Sequence, residues 1–163
     1  MRRSTRSARP DLPIGPGERL LAWAHDTEGA IVGATRDALY LPGARIPWEQ
    51  VEAADWDLDS STLRVSEVGA WGSSRPEHRF VLDAPGKLLQ LVRERVTASV
   101  VLQRHVPVTE RRGVRVIARR APGGRGGLAW VYEYDEGIDP DDPAVRLAAA
   151  EALRAARDEL GEV

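Results

Sequence analysis

The chain has 163 residues, 42% apolar and 29% charged, with a net charge of −2; these values suit one folded body and exclude both global disorder and two large domains. It has no cysteine, which excludes disulfides and thiolate metal ligation and fits a reducing, cytoplasmic setting. No stretch approaches the roughly 20 apolar residues of a membrane-spanning helix.

Residues 1–10 carry Arg2, Arg3, Arg6 and Arg9 without an acid and run into Asp11-Leu12-Pro13 instead of an apolar segment, so they read as a basic arm over 1–16 and not as a signal peptide. From Glu18 short apolar runs begin: 19–25, 30–35 and 38–41, punctuated by Asp26-Thr27-Glu28-Gly29 and Pro42-Gly43, which predicts three strands. Over 44–58 apolar and polar residues alternate at Val51 and Ala53, then at Trp56 and Leu58, with Pro47 marking an edge or break near the start. Asp59-Ser60-Ser61 turns into a strand over 62–68, and a polar loop with Trp71 leads to another over 78–82.

Asp83-Ala84-Pro85 opens a helix. Leu88, Leu89, Leu91, Val92 and Val96 recur mainly at three- and four-residue spacing, an amphipathic stripe. Past Val96, Val100-Val101-Leu102 and Val106-Pro107-Val108 suit strand as well as helix. A strand over 114–120, a glycine-rich loop over 122–127 and a strand over 128–134 predict a hairpin. Asp142-Pro143 then caps a helix that ends at Gly161.

Residues 17–104 resemble the GRAM and bacterial pleckstrin-homology-like (PH-like) families. The resemblance rests on Glu18-Arg19-Leu20-Leu21 at the first strand, Thr35-Arg36-Asp37-Ala38-Leu39-Tyr40-Leu41 in place of a T-x-x-x-L-Y-L strand, and Ile46-Pro47-Trp48-Glu49-Gln50-Val51 in place of an I-P-aromatic-x-x-I strand. It implies an α+β fold: an antiparallel β-barrel or strongly bent sheet closed by a helix. Residues 105–163 have no counterpart in the resemblance and are read from their own pattern as a hairpin and an acidic helix packed on the same body. It also implies a protein-interaction module, with peptides docking beside the closing helix. Phosphoinositide binding is disfavoured, because the first interstrand loop, Asp26-Thr27-Glu28-Gly29, is acidic where that function needs cations.

The charges are polarised. Residues 104–125 hold seven arginines against Glu110, a net of +6, while residues 133–163 hold ten acids against three arginines, a net of −7. Arg111, Arg112, Arg115, Arg119, Arg120 and Arg125 are therefore candidate partner or phosphate contacts, with Trp71 a candidate anchor for a protein partner. The same charges equally allow internal pairing between the two blocks. Along the strand Arg115 and Arg119 share a face with Ile117, opposite Val114, Val116 and Ala118.

The glycine-rich loop lies between strands and has no G-K-[ST] ending, so it lacks the context of a phosphate-binding loop. His25, His78 and His105 have no metal-ligand spacing, and Asp55, Asp57 and Asp59 open a calcium-loop pattern that fails at Ser60 and Ser66. No catalytic, cofactor or metal residue is assigned. The expectation is a non-enzymatic binding module acting on a protein partner or as a homo-oligomer, with nucleic-acid binding through residues 111–125 as the alternative.

Overall fold

The computed structural model describes residues 9–68, 76–121 and 127–162. Strands β1 (Ala22–Asp26), β2 (Ile31–Ala34), β3 (Ala38–Leu41) and β4 (Ala44–Pro47) follow one another antiparallel. A 3-10 turn (Trp48–Gln50) leads to β5 (Val51–Asp57), β6 (Thr62–Glu67) and β7 (Glu77–Asp83). Together they form one sheet in the order β4-β3-β2-β1-β7-β6-β5. Helix α1 (Gly86–Ser99) packs on it, placing Leu88 and Val92 against Val32, Leu39, Trp48, Leu63 and Val65. Each such side chain contributes about 1.5–3 kcal/mol by leaving water. Trp48 is fully buried and its indole N–H donates to the Thr35 carbonyl at 3.0 Å, so the ring is accommodated without an unpaired polar atom.

The chain leaves α1 directly into β8 (Val100–Thr109), which pairs with β9 (Arg112–Arg119), which pairs with β10 (Ala129–Tyr134). Helix α2 (Pro143–Glu159) lies across β8 and β9. Its start is fixed by Asp142, whose carboxylate accepts the Ala144 N–H at 2.8 Å, and by Pro143 in the first turn. Ala156 meets Leu102, Val116 and Ala118 in a second, smaller core, with Trp130 and Tyr132 at its margin.

Three features depart from the sequence-based expectation. The seven-stranded sheet is open, not a PH-like barrel: among the described residues no ladder joins β4 to β5. The physical reason lies at the corner between them. β4 is four residues long and ends in Pro47, which has no N–H to donate, and the chain turns at once through the 3-10 segment. The expected C-terminal hairpin is present as β9–β10, but it is widened to a three-stranded sheet, because Val100–Thr109 is strand and supplies the third member. A division at residue 104 thus falls inside β8.

A third difference concerns β5. The register jumps from Val51↔Glu67 to Ala53↔Ser66, leaving Glu52 as the extra residue of a β-bulge. The bulge switches the alternation, so Ala54 and Trp56 pack towards the core, while Leu58 lies beyond the strand and is 78% exposed.

Candidate functional site

The described arginines of residues 104–125, Arg104 to Arg120, do not converge on one surface. Arg104 pairs with Glu159 at the end of α2, Arg115 with Glu133 across the ladder at 3.3 Å, and Arg112 donates to the Glu136 carbonyl. Arg111 is exposed on the β8–β9 turn and Arg120 is half-buried. Arg125 and Trp71 lie outside the described residues.

Arg119 is 4% exposed, on the face of β9 opposite α2. Its guanidinium donates to Ser99 Oγ at 2.8 Å, to the Val96 carbonyl at 3.3 Å, and to the Glu52 carbonyl at 2.8 Å. It thereby joins the end of α1, the β5 bulge and β9, tying the two sheets together. Burial pushes its pKa below the ordinary guanidinium range, and Glu133 opposes that. With both terminal nitrogens occupied by groups of the fold, it is a structural bridge and not a ligand contact.

A second polar cluster sits where the N-terminal segment crosses the first sheet. The Glu18 side chain, 6% exposed, accepts from Tyr40 at 2.5 Å, Thr35 at 2.7 Å and Arg45 Nε at 3.1 Å. Tyr40 Oη in turn accepts the Gly15 N–H at 2.9 Å. Desolvation raises the Glu18 pKa, but hydrogen bonds from Arg45, Tyr40 and Thr35 outweigh it and hold the carboxyl below its usual range. A carboxylate so thoroughly engaged is suited to fixing the segment and poorly suited to proton transfer.

His78 and His105, and Asp55 and Asp57 of the aspartate triplet, are likewise engaged. His78 meets Glu67 at 2.8 Å, and His105 meets Asp135 at 2.7 Å. Asp135 also accepts the Gly113 N–H, and these bonds lower its pKa, that from His105 the most. Asp57 accepts the N–H groups of Asp59 and Ser60 in the β5–β6 turn, while Asp55 pairs with Arg64. Among the described residues no group of His, Asp or Glu is arranged to hold a metal ion.

What remains open is the edge of β5. Among the described residues it pairs with β6 alone, and beside it runs a groove of about 320 Å³ against α1, lined by Ala54, Trp56, Leu63, Leu89, Val92 and Arg93. The sheet supplies the indole of Trp56 and the helix supplies Leu89 and Val92. Arg93 is exposed at the rim and makes no ion pair among the described residues. The alternation over 44–58 puts Trp56 on an apolar face, and no signal in the sequence marks Arg93. The switch in alternation after Ala53 was the available signal for the bulge that turns Trp56 inward.

The chain matches no protein-family model, and a search of the curated proteins finds no match. Among the described residues no helix is long and apolar enough to cross a membrane.

Proposed function

We propose that the protein is a non-enzymatic interaction module that takes an extended segment of a partner protein along β5. The observation carrying this is the juxtaposition of an edge strand, paired on one side only among the described residues, with an apolar groove ending at an arginine that makes no ion pair among them. An added strand satisfies the backbone groups of the edge, and alternate side chains of the guest enter the groove. The lining asks for one large apolar side chain against Trp56, Leu89 and Val92, and Arg93 asks for a nearby carboxylate. The alternative through residues 111–125 has less support, because Arg112, Arg115 and Arg119 are engaged within the fold.

The test is a random peptide library panned against the full chain, followed by NMR titration with the enriched peptides. Enriched sequences should combine a large apolar residue with Asp or Glu, and amide shifts should map to β5 and α1. Arg93→Glu should invert the preference from acidic to basic peptides. No enrichment, or shifts confined elsewhere, would overturn the proposal.

A further inference from the structure

The edges of the two sheets are not equally protected. Exposed strand edges template pairing with other chains, and native proteins blunt them with proline, bulges, charges or short length. β4 has four residues and ends in Pro47. β5 carries the Glu52 bulge, whose carbonyl is occupied by Arg119. β8 contains Pro107, exposed Arg104, and register shifts at Val100/Leu102 and Pro107/Thr109. β10 has neither proline nor bulge and is six residues long. It runs in unbroken register with β9 from Ala129↔Arg119 to Tyr134↔Val114, and its other edge pairs with no strand among the described residues. Its sequence, AWVYEY, has no proline or lysine, and its one charge, Glu133, is neutralised by Arg115.

The geometry points to β10 as the interface for a second copy of this chain, paired antiparallel about a two-fold axis perpendicular to the sheet. Such an axis keeps the α2 side of both copies on the same face of a continuous six-stranded sheet. It therefore sets Trp130, Tyr132 and Tyr134 of one copy beside the same aromatic row of the other, a favourable cross-strand arrangement. The adjoining groove between β10 and α2, about 360 Å³, carries Arg154 and Arg157 next to Asp158 and Glu162. A patch with both signs side by side is self-complementary under a two-fold, and this argues for a copy of the chain over an unrelated partner. The interface uses the second sheet and leaves the β5 groove open, so it stands independently of the function proposed above.

Sedimentation velocity on the full chain at micromolar concentrations tests the inference. The expected mass is twice the 17.9 kDa of one chain. Tyr132→Lys, which puts a cation on the edge strand, should shift the species to a monomer with an unchanged far-UV spectrum. Because the chain has no cysteine, single substitutions can be read without background. At least one of Val131→Cys, Tyr132→Cys and Glu133→Cys should form an intermolecular disulfide on mild oxidation, while Gln103→Cys on β8 should not. A monomeric wild type, or crosslinking from β10 no faster than from Gln103→Cys, would overturn the inference. So would a monomer that takes up an unrelated peptide along β10.

Discussion

Removing Arg119 should uncouple the two sheets, and the structure sets the size of the effect. In Arg119→Ala the Glu52 carbonyl at the bulge loses its side-chain donor at a buried position, which costs about 1–3 kcal/mol. The Val96 carbonyl keeps the Ser99 hydroxyl at 2.7 Å, so it adds little. The void left by a long buried side chain adds about 2 kcal/mol, the low end for large-to-small core changes. Against this stands relief from burying a cation whose Nε has no acceptor. The expected loss is about 3–4 kcal/mol for Arg119→Ala. Arg119→Met keeps most of the volume and discards the charge, so about 1–2 kcal/mol is expected. Arg119→Lys retains a buried charge without the planar fork that reaches three acceptors, and should be at least as damaging as Arg119→Met. Urea unfolding followed by tryptophan fluorescence and far-UV circular dichroism measures the series. If Arg119→Ala stays within about 0.5 kcal/mol of wild type, the scale of a neutral surface change, or if Arg119→Lys is as stable as wild type, the bridging argument fails.

Gly113→Ala should cost about 3 kcal/mol in the same assay, because an added Cβ would lie 1.9 Å from the Val106 carbonyl oxygen, a backbone atom that cannot step aside. Gly86→Ala, where nothing lies within 4 Å in the first turn of α1, should instead stabilise by about 0.5 kcal/mol. Tyr40→Phe should cost about 1 kcal/mol by removing one donor from Glu18 and one acceptor from Gly15. Since the Glu18 carboxyl is held below its usual range, its contribution is present at neutral pH and is lost as pH falls through the depressed folded value. Acid titration of stability should therefore be shallower in Glu18→Gln than in wild type, and equal slopes would refute that assignment. Asp142→Ala should cost about 1 kcal/mol through loss of the α2 cap.

Strand and helix positions were largely legible because they rest on local signals. Asp142, Pro143 and Gly161 mark α2 by capping chemistry, and the four-residue spacing of Leu88, Val92 and Val96 marks α1. The join between α1 and β8 carries no such mark: Thr97-Ala98-Ser99 contains neither glycine nor proline, and Val100-Val101-Leu102 suits either state. The strand begins where β9 pairs with it, at Val100↔Arg119, and Arg119 also bonds Ser99 Oγ at the end of the helix, partners about twenty residues away in sequence. The parity that placed Arg115 and Arg119 on one face of β9 holds in the structure. Parity reports which residues share a face, not what covers it, and α1 and β5 cover the Arg119 end while Arg115 stays half-exposed beside Glu133. Sheet closure was illegible for a related reason. Whether β4 pairs with β5 depends on the corner at Pro47, and alternation within each strand is the same in an open sheet and a closed barrel.

The buried arginine also bears on where a partner can bind. A β-bulge leaves backbone groups outside the ladder, and such groups at an edge are open to a guest strand. Arg119 occupies the Glu52 carbonyl, so the first part of β5 is already committed to the second sheet, and the usable edge begins beyond it, at Ala54 and Trp56. That is where the groove against α1 lies and where Arg93 stands. A guest strand on β5 would therefore meet the Arg119 bridge at one end and the β5–β6 turn at the other, which limits it to about four residues. Peptides selected on this protein should share a core motif of that length, and a longer uninterrupted motif would show that binding does not follow the β5 edge.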